Sequence, residues 1–579
     1  MYIKQFFHNL KCPPTFLVVK KWNGFVVLFV ALFAFLIFTA AYYVVFLDTH
    51  LDEAQYSYTA WLTADGLAFP FEDFRIKYGP IGFYSQVLLQ NMAGPSMFAA
   101  RVISMLFFVG FSLLLFDVVR RLGNRWWALF AVALLAFQPF LVGNYVAATP
   151  YALVAFLSML SVWFLLWPAL GKSWRIVCAS IVMSMTFMVR YNMLPALLLL
   201  WVFAFLWRGN LKENIRDGFF SLGVSFATIG LAFIPYLIAD AGYALVFIAA
   251  MFGSLARLLP SDFFSLSNFT SNSSGDMPTS ILREFVSNVF SEDRMKVVAQ
   301  VFASFFVYWV FIFSGIVFIA RRYWNNYRLG FYENIVLFYV LGAAFLLFFA
   351  HFAFGPTLHK VYFLYVAPFA LVFVAGICVL WQNFLQERGV GDMAPGTLQS
   401  FLVPLIVVTI VLQSVSLGIA SNNTHDIIFF NRFDYRDADI NRIKYAGEYL
   451  ATLTTKEDLI LSIDNPYHVL ESGRFLFPPL ISPVYEFNDM KDQELLRRYA
   501  RYNTAMFFEW FENSATVVVF QPGLTDERFE SFNWSIETIE RFYRILSKNY
   551  KLVGEMANAY PRKDTRDGVM QIYRRKNIQ

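Results

Sequence analysis

Apolar segments of about membrane-spanning length recur along most of this chain, and they limit its fold more than any other feature. A helix needs about 20 apolar residues to cross a hydrocarbon core of about 30 Å. Hydrophobic residues make up 58% of the 579 positions and charged residues only 15%, which excludes an ordinary soluble protein. The sequence predicts a polytopic α-helical membrane protein with about eleven transmembrane helices, at 24–46, 97–119, 126–146, 149–168, 174–189, 192–207, 218–239, 298–320, 331–354, 361–381 and 401–420.

The distribution of Lys and Arg predicts the orientation of these helices. Cytoplasmic loops of membrane proteins carry an excess of both residues. Basic residues precede the first span and follow the second, fourth, sixth and eighth, among them Lys20, Lys21, Arg120, Arg121, Lys172, Arg208 and Arg321. Three larger segments then face the opposite side: a first outer loop at 47–96, a second outer loop at 240–297, and the region from 421. The net charge of +5 and the lack of a dense basic tail give no reason to expect a nucleic-acid partner.

The C-terminal region changes character after about residue 421. Its apolar runs are short and strand-like, at 459–463, 516–520 and 570–573. Amphipathic helical patterns lie between them, at 439–453 and 535–549. Alternating helices and strands are typical of an α/β domain. We therefore expect a transmembrane module at 1–420 and an extracytoplasmic α/β domain at 421–579.

Acidic residues cluster directly after the first span, and they are the first candidates for chemistry. Asp48, Asp52 and Tyr56 would share one face of a helix at i, i+4 spacing, with Glu53 beside them. In the structural interpretation Thr49 caps this helix, and the acids stabilise its N-terminus by about 0.3–1 kcal/mol. In the functional interpretation a carboxylate just outside the bilayer accepts a proton during catalysis. We favour the functional interpretation because the same loop also supplies a cation.

That cation is Lys77, which precedes Tyr78 and a Gly79-Pro80 turn. The turn could begin a short helix at 81–92 and direct its N–H groups at a phosphate. The alternative is that Lys77 is a surface lysine that extends toward the lipid headgroups.

Further cations lie at other outer junctions of the predicted spans. Arg190 lies between two spans, where a charge is costly unless it is paired or in a wet cavity. His359 and Lys360 end another outer loop and are candidate phosphate or sugar contacts. Arg101 opens the second span and is expected to face the same cavity. Arg474 lies in a polar turn that could contact an acceptor, although a structural turn is the favoured interpretation.

Two motifs in the first outer loop resemble those of a known superfamily. Leu51-Asp52-Glu53 resembles the Asp-Glu motif of the GT-C glycosyltransferases, in particular the protein O-mannosyltransferases and the bacterial lipid A aminoarabinose and galacturonic acid transferases. Lys77-Tyr78-Gly79-Pro80 resembles the Lys-Pro-Pro or His-Pro-Pro motif of these enzymes, with one residue inserted and the first proline lost.

Two later segments extend the resemblance. Arg190-Tyr191-Asn192 resembles the basic junction that these enzymes place before a later span. His359-Lys360-Val361-Tyr362, followed by Pro368, resembles the Arg-Tyr and Pro pattern of a late span. The order of spans and the outer C-terminal domain also fit a GT-C-like layout.

The resemblance implies an inverting transfer of sugar from a polyprenyl-phosphate donor to a lipid, glycan or protein acceptor. A polyprenyl phosphate is already a good leaving group, so one carboxylate and a basic cluster suffice for this chemistry. Asp52 would be the general base and Glu53 would orient the acceptor or the loop. The resemblance further implies no metal and no cofactor, and we expect a bacterial inner-membrane protein with its catalytic side facing the periplasm. The implied contacts are Lys77, Arg190, His359 and Lys360 for the donor phosphate, and Asp48, Tyr56, Tyr78, Arg101, Tyr362 and Arg474 for the rest of the substrates.

Two other function classes remain open at this point. A glycan ligase or polymerase of related fold would depend on outer-loop Arg and His residues more than on an early Asp. A transporter or flippase of lipid-linked sugars would be expected to show internal repeats and acids near the middle of the membrane. The sequence shows no internal repeat, and its acids gather outside the predicted spans.

Overall fold

A computed structural model describes residues 24–49, 51–68, 70, 73–74, 79–207, 210–239, 292–324, 331–354, 360–387, 408, 411, 438–464, 466–498, 500–561 and 568–576. Lys77, Tyr78 and His359 lie outside the described residues, as do the side chain of Lys360, nearly all of the predicted span at 401–420 and most of the second outer loop. The predicted domain boundary at 421 also lies outside them.

Before residue 438, the regular elements among the described residues are helices, apart from one isolated β-bridge between Pro70 and Phe74. Short 3-10 turns at Tyr191–Met193 and Lys360–Tyr362 precede two of the helices. The helices are α1 (Gly24–Phe46), α2 (Leu51–Ala64), α3 (Pro80–Ala93), α4 (Met97–Leu122), α5 (Arg125–Ala136), α6 (Pro139–Val146), α7 (Tyr151–Leu165), α8 (Lys172–Val189), α9 (Leu194–Ala204), α10 (Leu211–Ala239), α11 (Glu292–Ser304), α12 (Phe306–Trp324), α13 (Phe331–Phe354) and α14 (Phe363–Glu387).

Several of these helices are long and apolar enough to cross a membrane. Within the described ranges five single helices qualify, namely α1, α4, α8, α10 and α14, and two bent pairs raise the number to seven. Shorter apolar helices lie at Tyr151–Leu165, Tyr191–Ala204 and Ile335–His351. The chain is therefore a membrane protein with several apolar helices, and the number of eleven spans stays a prediction.

Two predicted spans are broken rather than continuous. The predicted span at 126–146 bends by 75° between α5 and α6, and the one at 298–320 bends by 88° between α11 and α12. Pro139 explains the first break, because proline lacks an amide proton and clashes with the preceding helical turn. The Gln138 side-chain amide donates to the carbonyl of Ser304 at 2.8 Å. The two breaks therefore meet, and one supplies a hydrogen bond that the other lacks.

Residues 438–576, which we call the sheet region, contain a five-stranded mixed sheet. Its strand order is β2-β1-β3-β5-β4, with β1 parallel to β2 and β3, and with β5 antiparallel to β3 and β4. The strands are β1 (Leu459–Leu461), β2 (Phe475–Leu476), β3 (Val517–Phe520), β4 (Tyr550–Met556) and β5 (Met570–Arg575). The helices are α15 (Asp439–Leu453), α16 (Tyr467–Ser472), α17 (Pro483–Glu486), α18 (Gln493–Arg498), α19 (Thr504–Glu509), α20 (Pro522–Ser531) and α21 (Ile536–Asn549), with a 3-10 turn at Pro478–Ile481 and a π-helical turn at Trp510–Ser514.

The predicted strand-like runs coincide with β1, β3 and β5, whereas β2 and β4 have no counterpart in the prediction. Strand β2 has only two residues, too few for a pattern. Strand β4 follows helix α21 without a turn, and most of its residues are exposed or half-exposed at the edge of the sheet. An apolar pattern therefore does not distinguish it from the end of the helix.

The sheet region packs directly on the membrane helices, and helix α2 lies at the junction. One continuous cluster of buried apolar side chains includes residues of α1, α2, α14 and the sheet. Tyr58 of α2 is fully buried, and its hydroxyl donates to the carbonyl of Arg474 (2.9 Å) and accepts from the amide of Leu476 (2.7 Å). The amide of Met97 donates to the Glu471 carboxylate at 2.7 Å. The sheet region is thus bonded to α2 through Tyr58 and to α4 through Met97.

Candidate active site

Helix α2 begins at Leu51, so Asp52 and Glu53 occupy its first turn. Asp48 precedes the helix and so does not share the predicted helical face, whereas Asp52 and Tyr56 both lie on α2, one turn apart. Thr49 does not act as the predicted cap: its amide donates to the Asp439 carboxylate at 3.2 Å, and its hydroxyl has no hydrogen-bond partner among the described residues. The start of α2 is set by a contact with the sheet region instead.

Glu53 forms a buried ion pair with Arg101. The Arg101 Nε and Nη2 atoms donate to the two carboxylate oxygens of Glu53 at 2.8 and 2.9 Å, and both side chains are 0% exposed. Nη1 of Arg101 donates to the carbonyls of Val44 and Leu47, and Glu53 also accepts from the amide of Ala148 at 2.7 Å. Bidentate pairs of this kind fix geometry as well as charge. The pair joins α2 to α1, α4 and the loop before α7.

This arrangement corrects the expectation for Arg101 and, for Glu53, favours one of its two predicted roles, the orientation of the loop. Arg101 does not face a cavity, because every nitrogen of its guanidinium donates to a protein oxygen. Glu53 is equally enclosed, so its geometry suits the holding of the loop rather than contact with a reacting group.

Asp52 has a different environment from its neighbour Glu53. Its side chain is half-buried rather than enclosed. It interacts electrostatically with Arg190 and with Tyr151, at the beginning of α7. The Arg190 guanidinium donates to the hydroxyl of Tyr56, one helical turn after Asp52, at 2.9 Å. The structure therefore brings together the half-buried carboxylate of Asp52, the guanidinium of Arg190 and the phenol of Tyr56. In the sequence, Asp52 and Arg190 are 138 positions apart.

Aromatic rings surround the Arg190 guanidinium. Its central carbon lies 5.6 Å from the ring centroid of Tyr56 and 5.5 Å from that of Tyr151. Tyr365 of α14 interacts electrostatically with it and contacts the Tyr151 ring at 5.5 Å. Nε of Arg190 is buried and has no hydrogen-bond partner within the described ranges. Cation–π contacts hold the charge in place and leave polar donor capacity unused.

A close backbone contact positions Arg190 beside the first outer loop. The amide of Gly79 donates to the carbonyl of Val189 at 3.1 Å. A Cβ atom at Gly79 would lie 1.9 Å from the Met188 carbonyl oxygen, so only glycine fits. Pro80 then starts α3 at its first position, as the Gly79-Pro80 turn predicts. The end of α8 and the start of α3 are therefore joined next to Arg190.

Three further predicted residues lie at other places. The Arg474 guanidinium donates to backbone carbonyls of Ala451, Thr454 and Ser472 and to the Thr454 hydroxyl, so it caps the C-terminus of α15. This geometry fits the structural interpretation of its turn. Tyr362 stacks on His351 at 4.8 Å and lies 6.4 Å from Tyr365, so it adjoins the Arg190 cluster through rings. Lys360 belongs to the same His359-Lys360-Val361-Tyr362 segment as Tyr362, but its side chain lies outside the described residues.

Sequence reasoning missed Tyr151 and Tyr365 as neighbours of Arg190. Tyr365 lies three positions before Pro368, inside the late-span pattern, and this spacing is the signal that points to it. Tyr151 follows Pro150 in a run of apolar residues and carries no comparable signal. Across the described ranges no group of three or more His, Cys, Asp or Glu side chains comes close enough to hold a metal ion.

Part of this chain is similar in sequence to a known protein family, and nearly all of it is similar in fold to solved structures. The family model of dolichyl-phosphate-mannose-protein mannosyltransferases matches residues 77–238, a segment that contains Arg101 and Arg190 and begins after Asp52. No curated protein sequence matches the chain.

The fold is similar to that of ArnT from Cupriavidus metallidurans bound to undecaprenyl phosphate, with a TM-score of 0.55, 14% identity, and coverage of 96% of this chain and 98% of that one. The apo state of ArnT gives a TM-score of 0.52 at 13% identity, with 95% and 97% coverage. The Archaeoglobus fulgidus oligosaccharyltransferase tethered with an acceptor peptide gives 0.49 at 12% identity, with 93% and 73% coverage. The resemblance predicted from the sequence motifs is therefore confirmed: the chain has the fold of the GT-C membrane glycosyltransferases.

Proposed function

We propose that this protein transfers a sugar from a polyprenyl-phosphate donor to a hydroxyl or phosphate group of an envelope lipid, glycan or protein. The observation that carries the proposal is the electrostatic interaction of Asp52, a half-buried carboxylate, with Arg190, a cation flanked by the rings of Tyr56 and Tyr151. The matching family model is named for a dolichyl-phosphate-sugar reaction, and the ArnT structure of similar fold holds undecaprenyl phosphate. Both support a lipid phosphate as the carrier of the sugar.

The reaction is a single displacement at the anomeric carbon of the donor. Asp52 accepts the proton of the acceptor hydroxyl as its oxygen forms a bond to that carbon. The bond between the anomeric carbon and the phosphate oxygen breaks, and its electron pair leaves with the polyprenyl phosphate. The configuration at the anomeric carbon inverts because the entering and leaving oxygens lie on opposite faces. No covalent enzyme intermediate and no second carboxylate are needed, unlike in a retaining glycosidase.

In this reaction Arg190 stabilises the negative charge of the leaving phosphate, and this electrostatic contribution is larger than that of the base. Negative charge grows on the phosphate as the bond breaks, and a fixed guanidinium in a site shielded from water stabilises it most effectively. Arg190 occupies such a position, and its unused Nε–H offers a further donor. We assign the remaining phosphate contacts to Lys77, His359 and Lys360, and substrate contacts to Asp48, Tyr56, Tyr78 and Tyr362. Glu53 is the positioning residue of the loop.

We assign the protein to a bacterial inner membrane with the Asp52 side facing the periplasm. The excess of Lys and Arg in the loops opposite to Asp52 supports this orientation. The acceptor is then a molecule that is already outside the cytoplasm.

The test is transfer of label from radiolabelled polyprenyl-phosphate sugars to an envelope acceptor fraction. We expect Asp52→Asn to lower the rate by about 10²–10⁴-fold, because the general base is lost. Asp65→Asn is the matched control, since Asp65 is exposed beyond the other end of the same helix. A fully active Asp52→Asn variant would contradict the assignment of the base. Sugar that changes sides of the membrane without leaving its carrier would favour a flippase, and transfer of whole chains from a lipid diphosphate would favour a ligase.

A further inference from the structure

A proline interrupts the hydrogen bonding of α14 next to the Arg190 cluster. Pro368 lies inside this helix, in the second turn after its start at Phe363. In a regular helix the amide of residue 368 would donate to the carbonyl of Leu364, but proline has no amide proton. A buried carbonyl that loses its donor costs free energy unless another donor replaces it. The residue directly after this carbonyl is Tyr365, which interacts electrostatically with Arg190.

The hydroxyl of Tyr145 supplies a donor from a different helix, α6. It donates to the carbonyl of Leu364 at 2.7 Å, and Tyr145 is 0% exposed. The two residues are 219 positions apart in the sequence. The carbonyl belongs to the peptide unit that joins Leu364 to Tyr365. The hydrogen bond therefore holds the piece of backbone that carries the Tyr365 ring.

Packing on α4 fixes the ring of Tyr145. Its centroid lies 5.9 Å from that of Phe108 and 5.6 Å from that of Phe111, and both phenylalanines are fully buried. Side chains in a close-packed interior stay in one rotamer, and a phenol oxygen lies on the axis of its ring. The hydroxyl of Tyr145 thus has a defined position from which it holds the first turn of α14.

The chain segment 145–151 contacts the candidate active site at two further points. The amide of Ala148 donates to the Glu53 carboxylate at 2.7 Å. The ring of Tyr151 lies 5.5 Å from that of Tyr365, and it lies at the same distance from the central carbon of the guanidinium between them. One short segment therefore connects the helix that carries the candidate base with the helix that carries Tyr365.

We propose that Tyr145 is a positioning residue: its hydroxyl replaces the backbone donor that Pro368 removes, and so holds Tyr365 in place beside Arg190. This inference rests on the proposed function, in which Arg190 stabilises the charge of the leaving phosphate. A cation with fixed surroundings does this best, because it does not have to reorganise as the charge develops. Tyr145 acts through Leu364 and Tyr365, and we assign it no contact with substrate.

A purely structural role of the hydroxyl predicts different behaviour. In that case its loss destabilises the protein but does not change the rate per folded molecule. Tyr502 of the sheet region represents this case, because it is 0% exposed and its hydroxyl donates to the carbonyl of Pro483 at 2.9 Å. Tyr502→Phe is therefore the matched control, since it removes the same atom from the same kind of hydrogen bond.

The first test measures kcat for sugar transfer, per folded molecule, with the full-length protein in nanodiscs. Tyr145→Phe keeps the ring and removes only the hydroxyl. We expect this variant to lower kcat by about tenfold to 10²-fold, the loss that a misplacement of about 1 Å causes. Tyr502→Phe should keep the wild-type kcat.

Pro368→Ala supplies the rescue. It restores a backbone N–H at position 368, which donates to the carbonyl of Leu364 as in a regular helix. When Pro368→Ala is added to Tyr145→Phe, the amide replaces the missing hydroxyl, and we expect kcat to recover most of its loss. Such coupling between two substitutions shows that they act on the same group. A double variant that is no better than Tyr145→Phe, in folding or in kcat, overturns the inference.

A second measurement does not depend on catalysis. Fluorotyrosine is incorporated in place of Tyr365 alone, and its fluorine NMR signal reports the surroundings of that ring. We expect Tyr145→Phe to shift or broaden the signal, and the addition of Pro368→Ala to restore it, whereas Tyr502→Phe leaves it unchanged. A signal that Tyr145→Phe does not affect contradicts the inference.

The two measurements separate this inference from the proposed function. If the fluorine signal follows the expected pattern but the wild type transfers no sugar from any donor, the glycosyltransferase proposal fails and the positioning of Tyr365 by Tyr145 remains. If the wild type transfers sugar and Tyr145→Phe has the same kcat, the inference fails and the proposed function remains.

Discussion

At the scale of single residues, two adjacent acids have opposite environments. Glu53 is fully buried in a bidentate pair with Arg101, whereas Asp52 is half-buried beside Arg190. One residue along a helix turns a side chain by about 100°, which is enough to direct one acid into the protein and the other toward the site. The motif predicts that both acids matter, and only the packing around them distinguishes a holding role from a chemical one.

The first prediction concerns the buried pair. We expect Glu53→Gln to lower the free energy of unfolding by about 3–5 kcal/mol, because it leaves the Arg101 charge buried without its counter-charge. The measurement is thermal or denaturant unfolding of the purified protein, together with the rate of sugar transfer.

A double variant distinguishes stability from positioning. Glu53→Leu combined with Arg101→Met replaces both charges by apolar groups and should recover much of the lost stability. Transfer should stay low, because the amide of Ala148 loses its acceptor and the start of α2 loses its anchor. Wild-type activity in the double variant would show that the pair does not position the loop.

Residue identities in the sequence predict part of the Arg190 cluster. The motifs point to Asp52, Tyr56 and Arg190, and the structure brings these three together. They do not indicate Tyr151, because an aromatic residue at the end of an apolar run is ordinary in a membrane protein. Whether these residues catalyse transfer stays a prediction that the variants above test.

At the scale of elements, the junction of α3 and α8 shows why a turn glycine is required. Gly79 has an ordinary negative φ of −68°, so its backbone conformation is open to any residue. The constraint is contact: a side chain there would overlap the Met188 carbonyl. A sequence pattern indicates the turn but contains no information about which distant backbone approaches it.

The second prediction tests this contact. We expect Gly79→Ala to push the start of α3 away from Val189, to cost about 1–3 kcal/mol of stability as overpacking does, and to weaken donor binding near Arg190. Gly171→Ala is the control, since no heavy atom outside its immediate surroundings lies within 4 Å of the added methyl group. The readouts are the unfolding midpoint and the affinity for farnesyl phosphate. Equal behaviour of the two variants would contradict the positioning role of Gly79.

The broken spans could not be predicted from apolar runs. Hydropathy counts residues that suit lipid, and a continuous run at 126–146 contains Pro139 without any change in hydropathy large enough to end it. The break is tolerable because Gln138 bonds a carbonyl at the second break, and that partner is 166 positions away. Long-range pairing of this kind is visible only in the folded chain.

At the scale of the whole molecule, stability depends on a buried histidine of the sheet region. His468 is fully buried, and neither ring nitrogen has a hydrogen-bond partner among the described residues. Burial lowers the pKa of His468 from 6.5 to about 3. The folded protein therefore keeps this ring neutral at a pH where the unfolded chain would protonate it.

The third prediction follows from the sign of this pKa shift. The contribution of His468 to stability is complete above about pH 6.5 and falls by about 1.4 kcal/mol per pH unit below it, toward pH 3. Burial raises the pKa of Glu471 to about 7, and this group acts in the opposite sense, because its contribution is lost as the pH rises through 7. We expect His468→Phe to remove the acid-side loss and to preserve the edge contact with Tyr560, which lies at 5.0 Å.

The measurement is the unfolding midpoint of wild type and His468→Phe between pH 4 and pH 7.5. The difference between the two proteins isolates His468, since Glu471 is present in both. A difference that does not grow as the pH falls below about 6.5 would contradict the prediction.

Composition and hydropathy predict the membrane class and the helical character of the first 420 residues. The three strand-like runs predicted after residue 421 coincide with strands β1, β3 and β5. The contact between the sheet region and α2 has no signal in the sequence, because it uses one tyrosine hydroxyl and backbone groups more than 400 positions away. The prediction of two separate domains therefore gives no indication that hydrogen bonds join the sheet region to α2 and α4.

The Tyr58 hydroxyl also has a practical consequence for the design of chimeric proteins. Strand β2 has two residues, and the amide of Leu476 is satisfied by a side chain from the candidate catalytic helix. A graft that exchanges only the polypeptide beyond the last membrane helix would leave this amide without its acceptor and the helix without its brace. A chimera should therefore exchange α2 together with the sheet region, so that residues 51–64 and the sheet come from the same protein.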